Sequence, residues 1–105
     1  KYDRNISEFN VTEIEPENIN NFPAPFVKSS SIKIGMKFVE EIKINYNKSR
    51  LIVGKIVQLD VDEKLISEDG FINLNIAKIA TISGCDGYSF PHKNVRKGYQ
   101  KPNNS

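Results

Sequence analysis

A chain of 105 residues leaves room for one small domain, and its 38% hydrophobic and 27% charged residues are those of an ordinary globular protein. Its net charge of +2 comes from lysines and carboxylates mixed along the chain, which gives no electrostatic footprint for nucleic acid. No apolar stretch approaches the roughly 18 residues that span a bilayer, and a single cysteine, Cys85, allows no intrachain disulfide, so a cytoplasmic setting is expected.

Asn5-Ile-Ser-Glu-Phe opens the first element. Asn5 is placed to cap a helix while Glu8 reaches back to it. Such a helix is short, because Val11, Thr12 and then Pro16 come directly after. From Glu15 to Pro25, prolines and asparagines spell a loop, with Ile19, Phe22 and Phe26 as its anchors into the core. Ile32, Ile34, Met36, Phe38, Ile42 and Ile44 then alternate with a largely polar set, and only Glu40 breaks the series. This period of two predicts a long antiparallel strand with one wet face. Asn45 to Ser49 is turn chemistry. Leu51, Val53, Val57, Leu59 and Val61 put a second strand on one apolar face, interrupted by Lys55. Gly54 within it marks a bulge or a close backbone approach. The two strands form a hairpin.

Asp60, Asp62 and Glu63 make an acidic exit from this hairpin, and Ser67-Glu-Asp-Gly70 is a turn in which Gly70 is free to take positive φ. Asn73 can cap a short helix over Leu74–Ile79, and a strand is the alternative because β-branched residues dominate there. Ala80-Thr-Ile82 reads as strand and Ser83 to Tyr88 as a loop. Beyond Pro91, Lys93, Arg96, Lys97 and Lys101 form a basic tail that lies loose or against a partner. The chain thus divides into a domain over residues 1–91 and a polar tail over 92–105. It opens on Lys1 rather than Met, which reads as a processed chain or a piece of something longer.

Few residues suggest chemistry. The acidic cluster lacks the ligand spacing of a calcium loop, since Lys64 and Leu65 interrupt it, and reads as a solvated strand exit. One histidine and one cysteine are too few for a metal site. Apart from the Lys and Arg of the distant tail, nothing in the sequence around Cys85 suggests an activated nucleophile. Ser29-Ser-Ser31 offers hydroxyls to a phosphate, but serines at a strand entrance are usually plain polar loop. Tyr88, in a Gly-flanked loop, can stack on a flat ligand or pack in a core or dimer contact. His92 can donate a proton or touch a phosphate, or simply be an exposed tail histidine. No catalytic residue is identified.

The order of these segments resembles the flavin reductase-like domain, the FMN-binding split barrel. Asn5-Ile-Ser-Glu-Phe is similar to its polar-Ser-Glu-Phe segment, and Ala24-Pro-Phe-Val-Lys-Ser to the approach to its long strand. Leu51-Ile-Val-Gly-Lys-Ile-Val, Val61-Asp-Glu, Asp69-Gly-Phe-Ile and Ser83-Gly-Cys-Asp-Gly-Tyr complete the series. The resemblance implies a mainly β, partial antiparallel Greek-key split barrel with one or two short helices. It implies FMN near a homodimer interface and electron transfer from NAD(P)H to a flavin or ferric acceptor. Many members carry a His shortly before the hydrophobic-Gly strand, where this chain has Ser49. The family's opening strands have no counterpart here, so the chain reads as a C-terminal portion, inactive alone, that pairs with a second copy or with the missing N-terminal half. Tyr88 and His92 are the positions the resemblance places near flavin. A cofactor-free β-barrel binding module is the alternative; Tyr46, Tyr88 and Tyr99 are scattered and form no stacking platform for it.

Overall fold

A computed structural model describes residues 2–99 and 102. Its elements are α1 (Glu8–Val11), β1 (Pro16–Glu17), β2 (Phe26–Val27), β3 (Ile32–Ile44), β4 (Ser49–Val61), a 3-10 turn (Glu63–Leu65), β5 (Thr81–Ser83) and β6 (Gly87–Ser89). The strands pair antiparallel in three separate two-stranded sheets, β1–β2, β3–β4 and β5–β6, and no closed barrel forms among the described residues. The mainly β class and the partial barrel expected from the sequence both hold. Contacts divide the chain into two compact units, Lys1–Asp62 and Glu63–Ser105.

In the first unit the expected capping box is absent. Asn5 lies in a turn in which Ile6 N–H donates to Asp3 O at 3.0 Å, and Ser7 takes the N-cap of α1 without a side-chain bond. The helix stops after one turn at Thr12, which is extended and donates its hydroxyl to Glu8 O at 2.7 Å. One turn fixes several dihedrals for very few hydrogen bonds, so α1 depends on its surroundings. The proline-rich loop behaves as expected. It leaves through β1 and returns through β2, with Glu17 opposite Phe26. Asn20 and Asn21 turn it with φ of 49° and 56°, a left-handed conformation that asparagine tolerates better than most residues. Phe26 is buried, and its ring lies 5.1 Å from that of the half-buried Phe22.

The predicted hairpin is present, with β3 paired to β4 from Ile32 opposite Val61 to Ile44 opposite Ser49. Lys48 takes the left-handed position of its turn, and Ser49 N–H donates to Asn47 Oδ1 at 3.0 Å. The single apolar face expected of each strand does not survive. Gly35 faces Gln58 but Met36 faces Ile56, so Val57 is an extra residue on β4. Phe38 faces Gly54 but Glu40 faces Val53, so Val39 is an extra residue on β3. A bulged residue shifts the register by one and sends every later side chain to the opposite face.

One face therefore carries Ile32, Ile34, Met36 and Phe38 with Leu59 and Ile56, then turns polar at Glu41 and Arg50. The other begins with Lys33, Gly35 and Lys37 and becomes apolar at Ile42, Ile44, Leu51 and Val53. Contacts agree with this division. Arg50 pairs with Glu41 at 3.1 Å, and a Cβ built on Gly54 would meet Met36 Cβ at 3.3 Å on the first face. A Cβ on Gly35 would meet Gln58 Cβ at 3.2 Å and the Phe22 ring on the second. Leu51 and Val53 thus lie opposite to Leu59 and Val61, although all four occupy alternate positions in the sequence. Gly54 marks a close side-chain approach, and the bulges fall at the β-branched Val39 and Val57.

The second unit begins at the 3-10 turn, where Leu65 is buried. Gly70 takes φ of 85° in the expected turn, whose ends are joined by Ser67 N–H to Phe71 O at 2.9 Å. Asn73 does cap the next segment: its Oδ1 accepts from the amides of Asn75 at 3.0 Å and Ile76 at 3.1 Å. The predicted helix over Leu74–Ile79 is nevertheless a single turn, closed by Ala77 N–H to Asn73 O and ended by Lys78 at φ 53°. Ile76 and Ile79 lose rotamer freedom in a helix, and one cap does not offset the cost of nucleation. Ser83–Tyr88, read from sequence as a loop, is instead the tip of the β5–β6 hairpin, with Ile82 opposite Tyr88 and Gly84 at φ 64°.

Candidate functional site

Tyr88 sits on β6, a strand of three residues, with 66% of its surface exposed. Its cross-strand neighbour Ile82 is also exposed. The hairpin fixes the backbone beneath the tyrosine, because a Cβ at Gly87 would come within 2.9 Å of Ser83 O and only glycine closes that turn. The ring is thus presented on a short rigid ladder with a free face. His92 lies beyond Pro91 with its side chain exposed, and its backbone carbonyl accepts from Asn75 Nδ2 at 2.9 Å. No hydrogen bond joins Tyr88 to His92 among the described residues, so the structure places both in one unit without uniting them in one contact.

The tail carries the interactions that sequence reasoning missed. It does not lie loose as far as Arg96. Asn94 Nδ2 donates to Asn73 Oδ1 at 2.6 Å, so that one oxygen accepts from two amides and a side chain. Arg96 Nη2 reaches Asp69 Oδ2 at 2.6 Å, and its guanidinium lies 4.1 Å from the centroid of the Phe71 ring. A cation over an aromatic face with a carboxylate at its edge is a favourable arrangement for arginine. Asn73 announces itself as a cap in the sequence; that Asn94 returns to it, and Arg96 to Asp69 and Phe71, across more than twenty residues has no local signal.

The same contact perturbs a titration. The Arg96 hydrogen bond, and after it that from the Phe71 amide, holds the Asp69 carboxyl below its ordinary 3.8. A carboxylate with a folded pKa below its unfolded value stabilises the fold fully above the unfolded value and loses that contribution as pH falls through the folded one. The strap over residues 92–96 is therefore expected to loosen only below pH 3.8. Protection of this segment against amide exchange, taken relative to the intrinsic rate at each pH, should fall below pH 3.8 in the native chain, and Asp69→Asn should abolish that acid dependence. Protection that is equally pH-dependent in the variant would refute the assignment. Both partners are exposed, so the effect is local.

The surroundings of Ser29 do not favour a phosphate. Ser29 borders an open groove of about 510 Å³ beside Glu13 and Glu15, and the Lys28 ammonium there is already held by Glu15 at 3.1 Å. Two carboxylates against one neutralised lysine disfavour an anion. Ser30 and Ser31 are engaged through their backbones, Ser30 N–H with Val27 O and Ser31 O with the Asp62 amide. Among the described residues no group of three or more His, Cys, Asp or Glu side chains is placed to hold a metal ion, and no helix is long and apolar enough to cross a membrane. Cys85 is exposed at the β5–β6 tip.

Known structures share this arrangement. A protein from Shewanella frigidimarina NCIMB 400, assigned as a flavin reductase with a split barrel domain, superposes with a TM-score of 0.89 and 38% identity over 95% of this chain and 50% of its own. Flavoredoxin of Desulfovibrio vulgaris (Miyazaki F) superposes at 0.71 with 20% identity, over 90% of this chain and 49% of its own, which is a likeness of fold. No family model and no curated protein sequence matches. The chain thus carries the strands of a flavin reductase-like split barrel and spans about half the length of the solved structures it matches.

Proposed function

We propose that this chain is the C-terminal part of an FMN-binding flavin reductase-like protein that passes electrons from NAD(P)H through FMN to a flavin or ferric acceptor in the cytoplasm. The observation that carries the reading is the 38% identity maintained over 95% of the chain with a split-barrel flavin reductase. The residues present fit part of the cofactor. Tyr88 offers an exposed ring on a fixed ladder for stacking against an isoalloxazine face, and His92 lies beyond it on the strap. The phosphate finds no ready place at Ser29, which shares its groove with Glu13 and Glu15. The chain's contribution is therefore ring contact and positioning, with the phosphate held by residues outside it, and no reaction step is assigned to its side chains.

Titration with FMN and with riboflavin, monitored by quenching of flavin fluorescence, tests this. Both flavins should bind with similar affinity because this chain does not grip the phosphate. Tyr88→Ala should weaken each by about threefold to tenfold, the worth of one stacked ring. A chain that quenches neither flavin overturns the flavin reading. A strong preference for FMN overturns the placing of its phosphate contacts outside the chain. The alternative cofactor-free module gains nothing from the structure: Tyr46 lies in the β3–β4 turn, Tyr88 on β6 and Tyr99 beyond Arg96, so they share no strand.

A further inference from the structure

The tip of the β3–β4 hairpin gathers three cations. Lys43 stands directly opposite Arg50 in the register, so two positive side chains share one face of neighbouring strands. Like charges placed opposite each other destabilise a strand pair unless an anion lies between them. Lys48, in the turn, is the third. Together with Asn45 and Ser49 they line an open hollow of about 300 Å³ that no carboxylate borders. Glu41 engages Arg50 Nη1 at 3.1 Å, but the Lys43 and Lys48 ammoniums make no ion pair among the described residues. The hollow is thus the electrostatic reverse of the groove at Ser29. Its floor is fixed, because Asn47 Oδ1 accepts from the Ser49 amide at 3.0 Å and from the Ser49 hydroxyl at 2.5 Å. Within the same turn Tyr46 is 99% exposed, so both faces of its ring are open.

We propose that the hairpin tip binds a nucleoside diphosphate, its phosphates in the hollow between Lys43, Lys48 and Arg50 and its base stacked on Tyr46. Three cations at one place match the charge of two phosphoryl groups, and charge-assisted hydrogen bonds are the strong ones. Arg50 gives Nη1 to Glu41 and keeps further N–H donors in the planar fork that suits phosphate. The Asn45 carboxamide adds a neutral donor. The volume is that of a small-ligand site. Tyr46 extends the ligand beyond its phosphates, since a ring with no packing partner in its own chain is free to stack on any base. None of these residues is among those assigned to flavin, so the tip site stands whether or not flavin binds.

Equilibrium dialysis of the whole chain against ADP, at low salt and without flavin, tests the proposal. ADP should bind with a dissociation constant below about 1 mM, rising with added salt. Lys43→Ala and Lys48→Ala together should weaken ADP at least about fivefold. Lys28→Ala, which removes a charge already held by Glu15, should leave binding unchanged. Tyr46→Ala should weaken ADP about threefold to tenfold and spare inorganic pyrophosphate, which separates stacking from charge. All four residues are exposed, so the variants keep the fold, as circular dichroism checks. The ADP group can arrive free or within a dinucleotide, the latter resting on the electron donor proposed above; competition by NADH assigns the site to the dinucleotide, and its absence to the free nucleotide. A dissociation constant for ADP above about 1 mM at low salt overturns the proposal. So does a Lys28→Ala variant as weakened as the double one, a Tyr46→Ala variant that keeps full affinity for ADP, or displacement of ADP by FMN at equal concentration, which would make the tip a flavin phosphate site.

Discussion

Gly35→Val should destabilise the first unit by about 2 kcal/mol, the cost of forcing extra carbon into an occupied space. Gly35 is mid-strand, where β-propensity by itself favours valine. Packing reverses the sign. A Cβ at this position would lie 2.8 Å from Phe22 Cε2, 3.0 Å from Phe22 Cζ and 3.2 Å from Gln58 Cβ. The Phe22 ring is tilted against Phe26 at 5.1 Å, a pairing that its withdrawal would disturb. Alanine should have a smaller effect of the same sign. Urea unfolding monitored by far-ultraviolet circular dichroism measures both, and a midpoint for Gly35→Val at or above that of the native chain would show that the loop does not press on β3 as described.

Phe26→Ala should cost more, about 3 kcal/mol, within the range for truncating a buried phenylalanine. Phe26 and Leu65 are the buried apolar residues among those described, and Phe26 belongs to the first unit. Domains of this size have only a few kcal/mol in reserve, so the variant should populate unfolded chain at room temperature. The two substitutions should not add. Removing the Phe26 ring gives Phe22 somewhere to go, and the double variant should be more stable than the sum of single losses allows, by upwards of about 0.5 kcal/mol. Strict additivity would mean that Phe22 does not transmit the contact.

Both effects arise from a contact that no local pattern announces. Phe22 and Phe26 read as anchors because large apolar residues in a proline-rich loop have to be buried somewhere. That Phe22 lands on Gly35, so that glycine is required in a strand, depends on where β1 and β2 bring the loop back. The tail is similar. Asn73 is legible as a cap because an Asx side chain bonds amides two and three residues ahead. The return of Asn94 and Arg96 to Asn73, Asp69 and Phe71 joins residues more than twenty apart, and the lysines and arginine there look, in sequence, like a loose basic tail. Tyr88 stands out in the sequence for its glycine neighbours, which mark a tight turn; that the turn closes a ladder and makes Tyr88 a strand residue is a consequence of its pairing with Ile82.

The long hairpin shows where the division falls. Period-two alternation and the Asn-rich turn by themselves determined two strands, their order and their antiparallel pairing, because side-chain alternation and turn conformation are properties of neighbouring residues. Which apolar residues share a face was decided only by tertiary structure. Val39 and Val57 are extra residues only relative to the opposite strand, and one unpaired residue in each exchanges the faces of all residues beyond it. Register is a relation between two strands, so neither strand's pattern contains it.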